Sequence, residues 1–295
     1  MADRPHRFLR RALAVCCLIA AACLPAGPPA GPPAGPPLTS STDTAEPTIL
    51  RVLQMNLCNS GRASCYTGRS LARAAEVISA EAPDLVTLNE ICQDDVTALE
   101  RVFATVHSGR TAVSAFQAAG DRPSGGDTRC RNGQPYGVGL LTHVQTPDTP
   151  HAVYRGIHPT QDLADPEERS WLCVNVDSVL LACTTHLAPT GYRVALAQCG
   201  HLLDTILPTI RRHGGYAPTV LSGDLNLRDG GDPDVRSCTP PDHQRVDDGA
   251  LQHIIATLDI RLCCHKSLVM RGATDHPGLL ATLSIDGRRP GRPPA

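Results

Sequence analysis

Residues 219–226 read Thr-Val-Leu-Ser-Gly-Asp-Leu-Asn, a short apolar run followed by a glycine, an acid and an amide. Short apolar runs bounded by turn residues are typical of buried strands. We therefore predict a strand over 219–222, with Asp224 and Asn226 at its end. A buried carboxylate needs a compensating partner, because desolvating it alone costs several kcal/mol.

Similar polar residues stand at the ends of other apolar runs. A single Asn or Asp at a strand end is more often a turn former, and a single His is more often a hydrogen-bonded structural residue. Repetition of the pattern along the chain favours one shared site. The further residues are Asn56, Glu90, His186, Asp275 and His276.

A divalent cation and a phosphate together explain these residue types. Mg²⁺ prefers oxygen ligands and is often held by one or two carboxylates plus substrate phosphate, which suits Glu90 with Asn56 or Asp275. Hydrolysis of a phosphoester also needs an activated water and stabilised phosphoryl charge. Asp224 can orient or deprotonate the water, and Asn226 can donate to a phosphate oxygen.

Two histidines extend the same chemistry. His186 and His276 can hold the non-bridging oxygens of the phosphate or supply a proton. We therefore predict catalytic roles for the two histidines, Asp224 and Asn226, beside a Mg²⁺ site.

The order of predicted elements indicates an α/β protein with mixed, layered sheets, because strands alternate with helices early and occur in pairs later. A helix carrying Leu71 and Ile78 should end before Pro83. A second helix, capped by Asp94, should bury Val96, Leu99 and Phe103. Residues 121–134 are predicted to form a loop. Predicted strands cover 49–57, 85–88, 136–142, 172–176, 179–185, 219–222, 251–257 and 279–285, and a third helix runs from Gly191 through Ile206.

Several of these segments resemble the successive signatures of the endonuclease/exonuclease/phosphatase superfamily. That family includes deoxyribonuclease I-like enzymes, apurinic endonucleases, inositol polyphosphate phosphatases and neutral sphingomyelinases. The resemblance implies a four-layered α/β sandwich, in which two packed mixed sheets are flanked by helices. It also implies dependence on Mg²⁺, with Ca²⁺ or Mn²⁺ as alternatives. The matching segments are Met-Asn-Leu (55–57), Pro-Asp-Leu-Val-Thr-Leu-Asn-Glu (83–90), Tyr-Gly-Val-Gly-Leu-Leu-Thr (136–142), Thr-Thr-His-Leu (184–187), Leu-Ser-Gly-Asp-Leu-Asn (221–226) and Thr-Asp-His-Pro (274–277).

The resemblance also assigns roles by motif position, and it shows one departure from the family pattern. Gln252 stands where many relatives carry an Asp that pairs with the final histidine, His276. A neutral amide stabilises an imidazolium less than a carboxylate does. Asp247 or Asp248 are alternative partners from the preceding loop. The implied roles are metal and phosphate binding for Asn56 and Glu90, phosphate contact or proton donation for His186, orientation of the nucleophile for Asp224, phosphate binding for Asn226, and completion of both sites for Asp275 with His276.

The N-terminus has the features of an export signal. Basic residues precede an apolar run from Ala12 to Cys23, which is too short to favour a membrane anchor. The triplet Ala20-Ala21-Ala22 before Cys23 suits either signal cleavage or a degenerate lipoprotein box with a lipid on Cys23. We predict a signal over 1–23, a Pro/Gly-rich linker over 24–47, one domain over 48–286 and a flexible tail over 287–295.

Cysteine usage agrees with export to an oxidising compartment. Of 13 cysteines, three lie in the signal, and the even remainder favours disulfides over buried free thiols. Cys58 and Cys65 can close a local loop if the chain turns at residues 59–61. The adjacent Cys263 and Cys264 must find separate partners. The sequence contains no CxxC pair, so a structural zinc site has no support.

Charge and composition leave the substrate open. Four Arg and one Asp lie within residues 1–37, so the net charge of −2 becomes about −5 in the exported part. Nucleic-acid binding usually requires a basic surface, and the densest basic group is the loop with Arg122, Arg129 and Arg131. We predict a nuclease that contacts phosphate through Arg129 and Arg131 and works as a monomer without an obligate protein partner. The alternatives are a phospholipid or sphingomyelin hydrolase, and a secreted binding or toxin-subunit module with weakened catalysis.

Overall fold

The computed structural model describes residues 45–176 and 179–287. The predicted signal with Cys23, residues 24–44 of the predicted linker and residues 288–295 of the predicted tail lie outside this part of the chain. Residues 45–47, predicted as linker, and residue 287, predicted as tail, lie in strands. Within it, no helix combines the length and apolar character needed to cross a membrane.

The described residues form a mixed α/β chain. The strands are β1 (Ala45–Asn56), β2 (Leu85–Cys92), β3 (Thr111–Ala118), β4 (Gly120–Asp121), β5 (Gly126–Asp127), β6 (Tyr136–Val144), β7 (His151–Ile157), β8 (Glu167–Glu168), β9 (Ser170–Val176), β10 (Leu180–His186), β11 (Thr219–Asp224), β12 (His243–Asp247), β13 (Gln252–Thr257), β14 (Ile260–Leu268) and β15 (Gly278–Gly287). The helices are α1 (Ser70–Glu81), α2 (Gln93–Phe103), α3 (Tyr192–His201) and α4 (Leu207–Gly214), with a π-helical turn over Leu202–Ile206 and a 3₁₀ turn over Val235–Ser237.

Two six-stranded sheets dominate the fold. Sheet one has the order β14-β15-β1-β2-β6-β3, and sheet two has the order β12-β13-β11-β10-β9-β7. Each contains one parallel pair near its centre, β1 with β2 and β10 with β11, whereas its other pairs are antiparallel. Strands β4, β5 and β8 form a small third sheet.

The two sheets face each other across an apolar core, and a helical layer covers the outer side of each. Val52 of β1 and Val220 of β11 belong to the core between the sheets. Ile78 and Phe103, from α1 and α2, pack with the outer side chains of sheet one. Leu202, after α3, belongs to the cluster on the outer side of sheet two. The predicted four-layered α/β sandwich is confirmed.

Differences from the predicted elements have local causes. Cys92 occupies the N-cap of α2 without a side-chain cap, and Asp94 lies in the first helical turn, so the predicted capping role of Asp94 is wrong. The predicted loop 121–134 contains the two-residue strand β5. Seven strands were not predicted. Three of them, β4, β5 and β8, have only two residues each. The residues of the other four are largely exposed or half-buried and therefore lack an apolar pattern: β3, β7, β12 and β14.

Four disulfides connect the described part of the chain. The Cys58–Cys65 loop closes as predicted. Eight of the ten cysteines after the signal pair in this way, but Cys263 and Cys264 are free thiols, so the expectation that they find partners is wrong. Both lie exposed on the edge strand β14. The remaining disulfides are Cys92–Cys130, Cys173–Cys183 and Cys199–Cys238.

Gly223 permits the close approach of β10 and β11 beside the predicted site. A Cβ at this position would lie 2.1 Å from the carbonyl oxygen of Thr185. We expect Gly223→Ala to destabilise the protein near the upper end of the range of about 1–3 kcal/mol typical of overpacking. Gly200→Ala in α3 is a matched control, because its nearest contact is 3.6 Å away, and it should stabilise. Urea unfolding of both variants measures the difference; equal effects would contradict the close-approach argument.

His143 makes folding sensitive to acid. Its ring stacks on Phe103 with centroids 4.0 Å apart, and burial, with further contributions from His107 and Arg110, lowers its pKa to about 4. The unfolded chain therefore binds more protons as pH falls from 6.5 towards that value, so stability present above pH 6.5 is lost across the window. We expect His143→Phe, which keeps the stack, to lose less stability than the parent between about pH 7 and pH 4.5. Identical pH dependence of the urea midpoints would contradict this.

Candidate active site

The two parallel strand pairs bring polar side chains to one rim of the sandwich. Asn56 ends β1, and Glu90 lies near the end of the adjacent β2. His186 ends β10 directly beside Asp224 at the end of β11. Asn56 Nδ2 lies 2.8 Å from Glu90 Oε1 and 3.0 Å from Asp224 Oδ2, so residues from both sheets meet in one cluster.

Local backbone geometry turns Glu90 towards this cluster. The β2–β6 register shifts between Leu88 and Ile91, and Glu90 has a φ of 55°. Asn226 similarly has a φ of 51° just after β11. Non-glycine residues in the left-handed region are uncommon and concentrate at functional sites. The strand ends are therefore shaped around the cluster.

Asn56 connects the two carboxylates. Its Oδ1 accepts a hydrogen bond from the backbone N–H of Cys58 at 3.1 Å, which leaves its Nδ2 to donate to Glu90 and Asp224. The sequence predicted Asn56 as a metal ligand. In this arrangement its side-chain nitrogen faces the carboxylates, so we assign it the role of holding them together.

Asp224 is buried and surrounded by hydrogen-bond donors. Burial raises its pKa, while His276 and donors from Asn56, the Asn226 backbone and Gln252 act in the opposite direction. Gln252 Nε2 lies 2.7 Å from Asp224 Oδ2, and the Asn226 N–H lies 3.1 Å from Oδ1. A buried carboxylate with a raised pKa is a stronger proton acceptor than an exposed one, as base catalysis requires.

Glu90 lies in a negatively charged environment. Burial raises its pKa most, and Asp224 and Asp275 raise it further, while the hydrogen bond from Asn56 lowers it. Tyr136 also hydrogen-bonds to Glu90, and burial and the neighbouring carboxylates raise the pKa of its phenol far above its usual range. In the described part of the chain, Glu90 forms no ion pair with Lys or Arg. An oxygen-rich cluster of this kind matches the preferences of Mg²⁺.

His186 has a partner that the sequence did not reveal. Arg169 Nη1 lies 3.2 Å from His186 Nδ1, and burial together with this arginine lowers the pKa of His186 well below its usual range. Asp165 and Glu167 hold the arginine at 2.6 Å and 3.0 Å. Arg169 was missed because it precedes β9 in an irregular polar segment. The Nε2 of His186 lies 4.0 Å from Glu90 Oε1.

The last motif lies beside the same cluster. His276 Nε2 is 3.6 Å from Asp224 Oδ2, and His276 Nδ1 is 3.4 Å from Gln252 Nε2. Gln252 therefore contacts His276, as its place in the sequence predicted. Asp275 is more peripheral: its side chain is 54% exposed, 3.9 Å from the His276 ring, and beside the Cys58–Cys65 disulfide.

Three further residues were predicted to bind phosphate: Asn226, Arg129 and Arg131. In the structure their side chains or backbones bond to other parts of the protein. Asn226 Nδ2 donates to the Leu187 carbonyl at 2.9 Å. Arg129 is exposed and donates to Gly133, and Arg131 is exposed with its backbone N–H bonded to Ser60. Phosphate contact through these two arginines stays a prediction.

Comparisons with known proteins agree on the fold. No protein-family model and no curated protein matches the chain. Among solved structures, it is similar to an endonuclease/exonuclease/phosphatase from Beutenbergia cavernae, with 22% identity, 81% of this chain and 72% of that chain covered, and a TM-score of 0.60. A family protein from Bacteroides thetaiotaomicron shows 13% identity, 84% and 99% coverage, and a TM-score of 0.58. The human Nocturnin catalytic domain shows 16% identity, 81% and 93% coverage, and a TM-score of 0.58. The chain therefore has the endonuclease/exonuclease/phosphatase fold, as its motifs predicted.

Proposed function

We propose that this chain is an exported, divalent-metal-dependent phosphodiesterase that acts on nucleic acid. The main support is the joining of Glu90 and Asp224 by the Asn56 amide, with a histidine nitrogen within 4.0 Å of each carboxylate. These residues come from both sheets and from separate parts of the chain. A cluster of buried and partly buried carboxylates and histidines at the rim where the strands end suits metal-assisted phosphoester hydrolysis.

A divalent cation would be held by Glu90, with Asp275 completing the site. The fit rests on the surroundings of Glu90: burial and then the neighbouring Asp224 and Asp275 raise its pKa, and no Arg or Lys forms an ion pair with it in the described residues. When bound, the cation would supply positive charge to the phosphoryl oxygens.

Other residues of the chain would transfer the proton, bind the phosphate and position the carboxylates. Asp224 would accept a proton from the attacking water, because its burial raises the pKa of its carboxyl group. His186 and His276 would donate hydrogen bonds to non-bridging phosphate oxygens. Asn56 would keep Glu90 and Asp224 at a fixed separation. Asn226, by its backbone N–H, would orient Asp224.

The four disulfides support the export part of the proposal, because such bonds persist in oxidising compartments. The nucleic-acid part rests on the exposed Arg129 and Arg131, which are the candidate phosphate contacts outside the cluster.

One panel tests the substrate class. The purified chain would be incubated with plasmid DNA, RNA, sphingomyelin vesicles and an aryl phosphodiester, with Mg²⁺, Ca²⁺, Mn²⁺ or EDTA. We expect DNA or RNA cleavage that EDTA abolishes and that Arg129→Ala/Arg131→Ala weakens. Cleavage of sphingomyelin alone would assign the lipid alternative, and binding without cleavage of any substrate would assign the non-catalytic alternative.

A further inference from the structure

We propose that Arg169 and Gln252 are positioning residues that fix the protons of both site histidines on Nε2, so that His186 and His276 act as hydrogen-bond donors to the phosphoryl group. The catalytic part of this inference rests on the proposed function. The proton positions themselves follow from hydrogen-bond partners that are independent of the substrate.

Arg169 determines the proton position on His186. A guanidinium has N–H donors and no acceptor, so the contact of 3.2 Å between Arg169 Nη1 and His186 Nδ1 requires Nδ1 to accept. The ring proton is then on Nε2, the nitrogen that faces Glu90. Arg169 is 5% exposed and held by two carboxylates, so the donor has little freedom to turn away.

The orientation of Gln252 follows from a chain of buried amides that begins at the backbone. The Oδ1 of Asn89 accepts from the backbone N–H of Asp224 at 2.7 Å, and its Nδ2 donates to the carbonyl of Thr185 at 3.1 Å. A backbone N–H can only donate and a carbonyl oxygen can only accept. The two ends of the Asn89 amide are therefore fixed.

The orientation of Asn89 in turn determines the orientation of two glutamine amides, Gln54 and Gln252. The Gln54 atom 2.7 Å from Asn89 Oδ1 must be a donor, which makes it Nε2. The same nitrogen lies 2.9 Å from Gln252, so the atom of Gln252 at that contact must be the acceptor Oε1. Thr87 donates to the other end of Gln54 at 2.5 Å, which is consistent with this assignment.

Gln252 is left with its Nε2 facing the site. That nitrogen lies 2.7 Å from Asp224 Oδ2 and 3.4 Å from His276 Nδ1. Its two N–H groups therefore supply a donor to the carboxylate and a weaker donor to the imidazole. His276 Nδ1 must accept, so its proton is on Nε2, as on His186.

A third histidine, His253, also has an N–H donor at Nδ1, and in addition a backbone carbonyl at Nε2. His253 Nδ1 lies 3.2 Å from Arg245 Nη1, and its Nε2 lies 2.8 Å from the carbonyl of Leu227. Nδ1 accepts and Nε2 donates there. His253 therefore serves as an internal reference for the proton positions.

Replacing the Gln252 amide with a carboxylate would disturb both of its contacts in the site. A carboxylate there would place an oxygen 2.7 Å from Asp224 Oδ2, where Gln252 now donates. It would also offer an acceptor to His276 Nδ1 and draw the proton away from Nε2. A carboxylate at residue 252, where many relatives carry an Asp, should therefore lower activity in this chain.

Long-range ¹⁵N–¹H correlation NMR of the imidazole nitrogens tests the proton positions directly. At about pH 8.5, well above the ordinary pKa of an imidazole, we expect His186, His276 and His253 of the wild-type chain each to carry a proton on Nε2 and none on Nδ1. A protonated Nδ1 on His186 or His276 would overturn the proposal. This readout does not depend on hydrolysis, so failure of the proposed function would appear separately, as correct proton positions without activity.

Two variants connect the proton positions to turnover. Gln252→Glu should move the His276 proton to Nδ1, leave His186 unchanged and lower kcat by about 10²-fold, the lower end of losses for a missing oxyanion donor. Gln252→Met removes the donor without adding charge and should give mixed proton positions with a smaller loss. Wild-type turnover in Gln252→Glu would overturn the proposal. If that variant does not fold, unchanged proton positions on His276 in Gln252→Met would overturn it instead.

Discussion

Asp224→Asn should reduce phosphodiester hydrolysis by about 10²–10⁴-fold, the range attributed to a general base. An amide has nearly the shape of the carboxylate but cannot take the proton of the attacking water. It also conflicts with its surroundings, since Asn56 and Gln252 donate to one oxygen and the Asn226 backbone donates to the other. Either orientation of the new amide places a donor against a donor.

The matched control for this variant is Asp204→Asn, which changes an exposed acid between α3 and α4. Initial rates at saturating Mg²⁺ and the circular dichroism of all three proteins would be compared. We expect the control to match the wild type and Asp224→Asn to remain folded but nearly inactive. Activity of Asp224→Asn within tenfold of the control would remove Asp224 from its proposed role.

Glu90→Gln should lose most of the response to divalent cations. Mutation of a residue that hydrogen-bonds to a metal ligand costs about 10–100-fold in metal affinity or activity. Loss of the ligand itself should therefore raise the Mg²⁺ concentration that gives half-maximal activity by at least about 10²-fold. Thermal stability gives an independent measure, because a cation that binds the native state raises Tm. Wild-type Tm should rise with Mg²⁺, and the variant's should not.

The same substitution should stabilise the protein in EDTA. Glu90 is largely buried near Asp224 and Asp275, and burial together with these carboxylates raises its pKa, so the ionised form is unfavourable without a cation. A neutral amide removes that repulsion. The exposed Glu76→Gln in α1 is the control, with no expected change in the Mg²⁺ response. A Tm that rises equally with Mg²⁺ in wild type and Glu90→Gln would place the cation elsewhere.

The sequence predicted the residues whose places depend on strand geometry. Glu90, His186 and Asp224 follow apolar strands, and parallel pairing brings such ends to one edge of a sheet. Gln252 was also predicted beside His276, from its position in the motif order. These predictions succeed because period-two burial and strand ends are local properties of the chain.

The sequence did not reveal the partners that determine how these residues are oriented. Arg169 comes from a segment without periodic pattern, and its contact with His186 depends on the packing of a loop. Gln54 lies within an apolar strand, where an isolated polar residue gives no indication of its partner. Its contact with Gln252 joins residues 198 positions apart. Long-range side-chain hydrogen bonds of this kind have no local signature.

We propose that side chains from both sheets hold one cation and one phosphate at this rim. Anomalous scattering from crystals grown with Mn²⁺ and a non-hydrolysable phosphodiester tests it most directly. We expect a Mn²⁺ peak bonded to a Glu90 carboxylate oxygen, with the phosphate between that ion and the Nε2 atoms of His186 and His276. A fully occupied Mn²⁺ and phosphodiester bound away from Glu90 and Asp224 would contradict it.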